Sequence, residues 1–350
     1  MGWLSPWVDA ELLGGIALLV LFVLVEKRVE EPMFHIGLFR IRAFLGSNIA
    51  LLCSSMGRGG LQFMLILWLQ GIWLPLHGFS FASTPLWAGI YLVPMSVGFL
   101  ATGPISGRLS DRYGQKWFAT LGMAAAACTF VLLLVLPVNF PYPLFGLLIL
   151  VNGLGVGMFS APNTTTMMNS VPAADRGAAS GMRATAMNAG FVLSIGIFFS
   201  LMIVGLSAHL PTALGHGLIS RGVAASTADR VAALPAVATL FAAFLGVNPM
   251  KQLLGPHVLR QVGTAHAQVI TGKSFFPSLI SEPFHSGLTI AFAVSAVLCA
   301  LAAFFSFWAG DSGAAASGRS VRPEPERFVD GHSTAPIGGI DAALPDVVEV

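Results

Sequence analysis

Arg58 stands in the middle of the apolar run Leu45–Leu69, the place in this chain where a charge most needs a chemical reason. At 100° per residue, Asn48, Ser55, Arg58, Gln62 and Gln70 fall within a sector of about 120° of one helix. An arginine facing lipid at mid-span costs about 2.5 kcal/mol or more, so this face belongs against a bundle interior or a wet cavity. The chemistry on offer is recognition by charge and hydrogen bonding rather than bond-making. Two readings stay open. Asn48, Arg58, Gln62 and Gln70 line a substrate path or gate, or they form a structural network that ties helix ends together while Arg58 snorkels.

The second constellation is Gly107-Arg108-Leu109-Ser110-Asp111-Arg112-Tyr113-Gly114-Gln115-Lys116. It packs an acid and several bases into a chain of which only 10% is charged. Asp111 falls just ahead of the next apolar run, where a helix N-terminus presents unsatisfied N–H groups and partial positive charge. A carboxylate there caps the helix and pairs with Arg112 or Lys116, while Gly107 and Gly114 permit close backbone approach and a tight turn. A generic basic loop with a helix cap is the plainer alternative. A third set, Gly153, Gly157, Ser160 and Thr164, lies on one narrow helical face and reads as a packing seam between membrane helices.

These residues need elements to carry them, and composition says which. Mean hydropathy is +0.79. Hydrophobic residues make up 55% and charged residues 10% of 350 residues, against about 25% charge in soluble domains. The expected class is an all-α membrane protein. Net charge is +2 with the bases scattered, so no basic stripe points to nucleic acid. Cys53, Cys128 and Cys299 fall in separate apolar runs and read as small buried hydrophobes rather than a disulfide framework or metal site. The histidines show no metal-ligand spacing, and no catalytic grouping of nucleophile, base and acid is apparent.

A spanning helix needs about 20 mostly apolar residues. The runs that qualify are Val8–Val25, Leu45–Leu69, Leu86–Ile105, Trp117–Pro137, Leu144–Ala161, Ala184–Leu206 and Leu288–Trp308. The first lacks a basic leader and ends in Glu26-Lys27-Arg28, so it reads as a span rather than a cleavable signal. Bases collect on alternate connections: Lys27, Arg28, Arg40 and Arg42; then Arg108, Arg112 and Lys116; then Arg176 and Arg183; then Arg319, Arg322 and Arg327 in the tail. The positive-inside rule therefore puts the N-terminus outside and the tail in the cytoplasm. The segment 207–285 is then a long external loop, whose run Val231–Val247 reads as a buried or interfacial helix more than a span. Residues 311–350, poor in aromatics and rich in Ala, Gly, Pro and Ser, read as a disordered cytoplasmic tail.

Two motif look-alikes carry nothing. Gly272-Lys273-Ser274 resembles the end of a phosphate-binding loop, but position 267 is Ala where that loop needs Gly. Asn163-Thr164-Thr165 fits a glycosylation acceptor, yet falls at the expected inner end of a span.

The decapeptide Gly107–Lys116 resembles the pattern G-x-L-[AS]-D-R-x-G-x-[RK] between the second and third helices of a six-helix half of a major facilitator transporter. Further stretches resemble the C-terminal six helices of fourteen-span drug:proton antiporters of the EmrB/QacA type, together with the linker leading into them. They are Val25-Glu26-Lys27-Arg28, Leu38-Phe39-Arg40-Ile41-Arg42-Ala43-Phe44, Trp68-Leu69-Gln70-Gly71, Pro85-Leu86-Trp87-Ala88-Gly89-Ile90, Gly153-Leu154-Gly155-Val156-Gly157 and Arg176-Gly177-Ala178-Ala179-Ser180-Gly181. The resemblance covers roughly residues 1–310.

It implies residues 1–43 as a linker helix and cytoplasmic connector and 44–310 as a six-helix C-terminal bundle. Its implied activity is proton-coupled export of amphipathic or cationic small molecules by alternating access, with Gly107, Asp111, Arg112, Gly114 and Lys116 as a gating loop. No cofactor is implied beyond the proton gradient of the complete transporter. The implied partners are the lipid bilayer of a bacterial inner membrane, a drug-like substrate, and an N-terminal half supplied in cis or as a separate chain. The sequence departs from the family in having no counterpart of the family's membrane acid, because the expected spans from Leu45 onward hold no Asp or Glu. Alternatives from other classes are a non-transporting membrane half-module that binds a partner, and an intramembrane enzyme, for which no clustered acids, histidines or nucleophile are available.

Overall fold

A backbone in lipid must satisfy its own polar groups, and helices do so within one segment. In the computed structural model of the chain, every regular element among the described residues is helical. The structure describes residues 6–29, 34–80, 82–238, 241, 248–272 and 274–310. Among them, 7 helices are long and apolar enough to cross a membrane.

The first, α1 (Pro6–Glu26), stands apart from the others, and none of its most apolar stretch is buried by the rest of the chain. A 3-10 turn, Ile36–Arg40, leads into α2 (Arg42–Trp68), which continues through a wider π-type turn at Leu69–Trp73 to Leu76. The third span is α3 (Thr84–Tyr91) followed by α4 (Val93–Tyr113). Then come α5 (Gln115–Leu134), α6 (Tyr142–Asn169) and α7 (Arg176–Ile219). The short helices α8 (Ala225–Ala232), α9 (Met250–Gln261) and α10 (Thr264–Ile270) precede the last span, α11 (Phe275–Ala309).

Six of the spanning helices form one bundle. The α6 helix packs on α4 and α5, α11 packs on α2, α5 and α7, and α2 also packs on α7 and α6. Small residues set the spacing. A Cβ on Gly98 of α4 would lie 2.5 Å from the Leu150 carbonyl oxygen of α6, and one on Gly153 would overlap the Met95 carbonyl. Gly122 and Gly155 bring α5 and α6 together in the same way. The Thr102 hydroxyl donates to the Leu154 carbonyl across this seam at 3.1 Å. Backbones this close gain the dispersion and weak polar contacts that hold membrane helices together without a hydrophobic driving force.

One end of the bundle is closed by aromatic rings. Trp68 meets Phe140, Phe145 and Phe292 at centroid distances of 4.8, 6.0 and 6.0 Å. Trp73 stacks on Phe140 at 5.2 Å, and its indole N–H donates to the Phe140 carbonyl at 3.1 Å. At the other end the Arg42 Nε donates to the Trp308 carbonyl at 2.8 Å, with the guanidinium 5.0 Å from the Trp308 ring centre. A cation at the start of α2 thus satisfies an orphan carbonyl at the C-terminus of α11.

Several sequence expectations need correction. The expected external loop 207–285 is largely helical: α7 runs to Ile219, α11 starts at Phe275, and α8, α9 and α10 lie between. Polar residues end the apolar run without ending the helix, because backbone hydrogen bonding continues into water. For the same reason α11 contains Glu282, ahead of the expected start at Leu288, and the carboxylate is exposed. Cys53 and Cys299 are buried thiols, but Cys128 is exposed on the outer side of α5. Residues 239–240 and 242–247 of the run Val231–Val247, and all of the tail 311–350, lie outside the described residues.

Candidate functional site

The environment of Arg58 follows from its neighbours on α2. A Cβ on Gly57 would sit 3.3 Å from the Cys299 Sγ, and one on Gly60 would run into the Phe198 ring. These glycines draw α11 and α7 against two sides of α2. The side carrying Ser54, Ser55, Arg58 and Gln62 stays open and lines a cavity of about 250 Å³. Opposite are Phe99 of α4, Phe159 and Ser160 of α6, and Arg183, Asn188 and Phe191 of α7. A second cavity of about 240 Å³, against Asn152 and Gly153, shares Arg58, Phe99 and Val156 with the first.

Arg58 and Gln62 are exposed to this space, and the Arg58 guanidinium lies 4.7 Å from the Phe99 ring centre. A cation over a ring face is held electrostatically, worth about 0.5–1 kcal/mol where solvent reaches it. Arg183 is half-buried; its Nε is shut off from solvent and has no hydrogen-bond partner among the described residues. Arg58 and Arg183 are the charged residues of the lining, which contains no carboxylate.

The polar stripe expected on α2 is therefore split. Asn48 is buried about 15 Å from Arg58 along the helix axis, and its Nδ2 donates to the Phe44 carbonyl at 3.0 Å. Gln70 lies about 18 Å the other way, inside the π-type turn, half-buried and with a polar contact of its own. Neither lines the cavity. An angular sector ignores height, and the extra residue of the π-type turn also changes the phase.

The Gly107–Lys116 segment is not a loop. Residues 107–113 are the last turns of α4, and Gly114 alone separates α4 from α5. Gly114 has φ 97° and ψ 130°, which makes the turn, whereas a Cβ on Gly107 would meet Ala161 Cβ at an ordinary 3.6 Å. Asp111 is exposed, accepts no capping N–H bond from α5 and forms no ion pair among the described residues. It sits at the C-terminal end of α4, so its side chain projects from that helix and not into the start of the next. Arg112 is also exposed, 5.5 Å from the Tyr113 ring centre, and Lys116 Nζ lies 3.7 Å from the Phe307 ring centre of α11.

The packing set divides as well. Gly153 and Gly157 form the seam with α4, but Ser160 lines the cavity. The Thr164 hydroxyl donates to the Ser160 carbonyl within α6 at 2.8 Å. Asn163 is buried, donating to the Ser47 carbonyl of α2 at 3.2 Å.

Sequence reasoning missed Arg183, which counted only as a connection base. The helix begins at Arg176, so Arg183 is two turns inside α7. The run of small residues Gly177–Gly181 was the available sign of an early helix start. Phe99, hidden among other apolar residues, carried no signal. A further link missed from sequence is His35, whose Nδ1 lies 2.7 Å from Asp175 Oδ1, joining the approach to α2 with the α6–α7 connection.

Comparison with known proteins gives one family and three relatives. The family model for the Major Facilitator Superfamily matches residues 1–195. The riboflavin transporter RibZ of Clostridioides difficile is 27% identical over 196 residues, covering 55% of this chain and 41% of the relative. The methyl viologen resistance protein SmvA of Salmonella typhimurium is 30% identical over 224 residues, 63% of this chain and 43% of the relative. The tetracenomycin C resistance and export protein of Streptomyces glaucescens is 26% identical over 304 residues, 85% of this chain and 51% of the relative. The chain thus spans about half, or less, of the length of these relatives.

Proposed function

From the premise that this chain belongs to the major facilitator superfamily, and so is a multi-pass membrane protein rather than an enzyme, we propose that it is the C-terminal half of a multidrug-type secondary transporter of the EmrB/QacA kind. In this reading α1 is a linker helix, and the six-helix bundle supplies one wall of a substrate path for amphipathic small molecules. The observation that carries the proposal is the polar cavity around Arg58, held between α2, α4, α6 and α7. Sites in this fold form between two halves near the membrane midplane, so a single bundle offers a half-site.

The proposed orientation in the bacterial inner membrane has the N-terminus outside and the tail inside. Proton coupling would reside in a second half, since the acids on the six bundle helices, Asp111 and Glu282, are both exposed. Alternating access would rock one half against the other, with the Gly107–Lys116 segment at a helix end acting as the latch.

The test is reconstitution in liposomes with an imposed pH gradient and a fluorescent amphipathic dye. Flux that needs co-reconstitution with an N-terminal six-helix unit supports the half-transporter. Absence of flux in every combination, with stable association of the two chains, would instead make this a non-transporting binding module.

A further inference from the structure

We propose that the cavity between α2 and α7 is an anion-binding half-site, in which Arg58 and Arg183 hold the carboxylate, sulfonate or phosphate group of an amphipathic organic molecule. The inference rests on reading this cavity as part of a substrate path, and it fixes the charge of what enters.

Charge balance in the cavity favours an anion. Arg58 and Arg183 come from different helices and face one cavity whose lining has no carboxylate. The acids of the six bundle helices, Asp111 on α4 and Glu282 on α11, are exposed and do not line it. Like charges sharing one cavity raise each other's cost, and an opposite charge brought between them offsets it. A cationic ligand would enter against two positive groups with no compensating acid. An anionic one would supply the missing counter-charge.

The donor geometry favours the same occupant. A guanidinium offers donors in a planar fork that matches carboxylate and phosphate oxygens. Phe99 braces the Arg58 guanidinium at 4.7 Å, which limits its swing. The Arg183 Nε is a buried donor with no acceptor among the described residues. Ser55, Gln62, Ser160 and Asn188 add hydroxyls and amides around the pair, and the rings of Phe99, Phe159 and Phe191 form the apolar remainder. The volume of about 250 Å³ lies just below the usual range for ligand pockets, about 300–1,000 Å³, and suits a two-ring acid or the acidic end of something larger.

The experiment uses the full chain in nanodiscs of zwitterionic lipid, which adds no competing anionic headgroup. Equilibrium dialysis compares 1-naphthoate, 1-naphthalenemethanol and 1-naphthylmethylammonium, alike in shape and different in charge. The expected order is naphthoate tightest and the ammonium weakest, separated by about tenfold or more, as for a charge-assisted hydrogen bond. Arg58→Gln and Arg183→Gln should each weaken naphthoate by about tenfold while leaving the neutral probe nearly unchanged.

Equal binding of the three probes, tightest binding of the ammonium, or no naphthoate binding at millimolar concentration overturns the assignment. So does undiminished naphthoate binding in both folded Gln variants. Should either variant fail to fold, the ranking on the unaltered chain decides alone. Liposome flux is read separately. Selective anion binding without flux in any combination removes the transport reading and keeps this one, whereas flux blind to probe charge does the reverse.

Discussion

The Arg58 guanidinium lies 4.7 Å from the centre of the Phe99 ring, so the charge at the middle of α2 is held by a ring on α4. The two side chains also line both adjoining cavities. Any shift of α4 relative to α2 would therefore move a charge inside the bundle as well as an apolar surface. Phe99→Leu keeps the bulk and removes the ring face. It should weaken naphthoate binding about threefold, the value of an accessible cation–π contact, with little change in thermal stability. Equilibrium dialysis and a melting curve on the same sample check both parts; unchanged affinity would mean the ring does not position Arg58.

The two glycines of the Gly107–Lys116 segment should behave differently. Gly114 adopts φ 97°, where a Cβ is strained, and Gly107 has ordinary helical surroundings with room for one. Gly114→Ala should destabilise by about 1–3 kcal/mol. Gly107→Ala should be neutral or stabilising by up to about 1 kcal/mol, from helix propensity. Thermal unfolding in detergent distinguishes them, and equal melting of the two variants would contradict the backbone reading.

Asp111 is exposed at the end of α4 without an ion-pair partner among the described residues. A negative charge near a helix C-terminus is not favoured by the helix dipole. Asp111→Asn should accordingly leave the melting temperature unchanged or slightly raised. If the segment latches a second conformation, the same variant should lower dye flux in the complete transporter. Loss of stability on this substitution would show a structural partner for the carboxylate, and normal flux would count against a gating role.

Trp73 closes the aromatic end of the bundle, 5% exposed and hydrogen-bonded to the Phe140 carbonyl. Trp73→Ala should cost about 3–5 kcal/mol, as for other buried tryptophans. Trp73→Phe should recover much of that through its remaining stacking on Phe140. Detergent melting curves of the pair test this; similar losses for both would point to the indole N–H as the dominant contribution.

How much was legible beforehand varies by residue, and Arg58 and Arg183 mark the two extremes. Arg58 stood out because a charge inside an apolar run is rare and costly, so its type and position alone demanded an interior or wet surface. Arg183 looked like an ordinary connection base, because the apolar run that marks the span begins only after it, at Ala184, although the helix itself starts at Arg176. Asn48 and Gln70 had the right helical angle and the wrong height. Gly153 could be read as a small-residue contact, but its partners Gly98 and Met95 on another helix could not.

The sequence by itself determined the class of this protein: helical throughout the described residues, with seven apolar helices among them, and a member of a transporter superfamily. It could do so because hydrophobic runs and spacing motifs are local, and a bilayer converts composition directly into spans. The tertiary structure decided where helices end, since backbone hydrogen bonds carry α4, α7 and α11 past the residues at which apolar composition stops. It also decided which polar groups meet. The cavity that joins Arg58 to Arg183 depends on how closely glycines let α2 and α7 approach, and that contact has no signature along the chain.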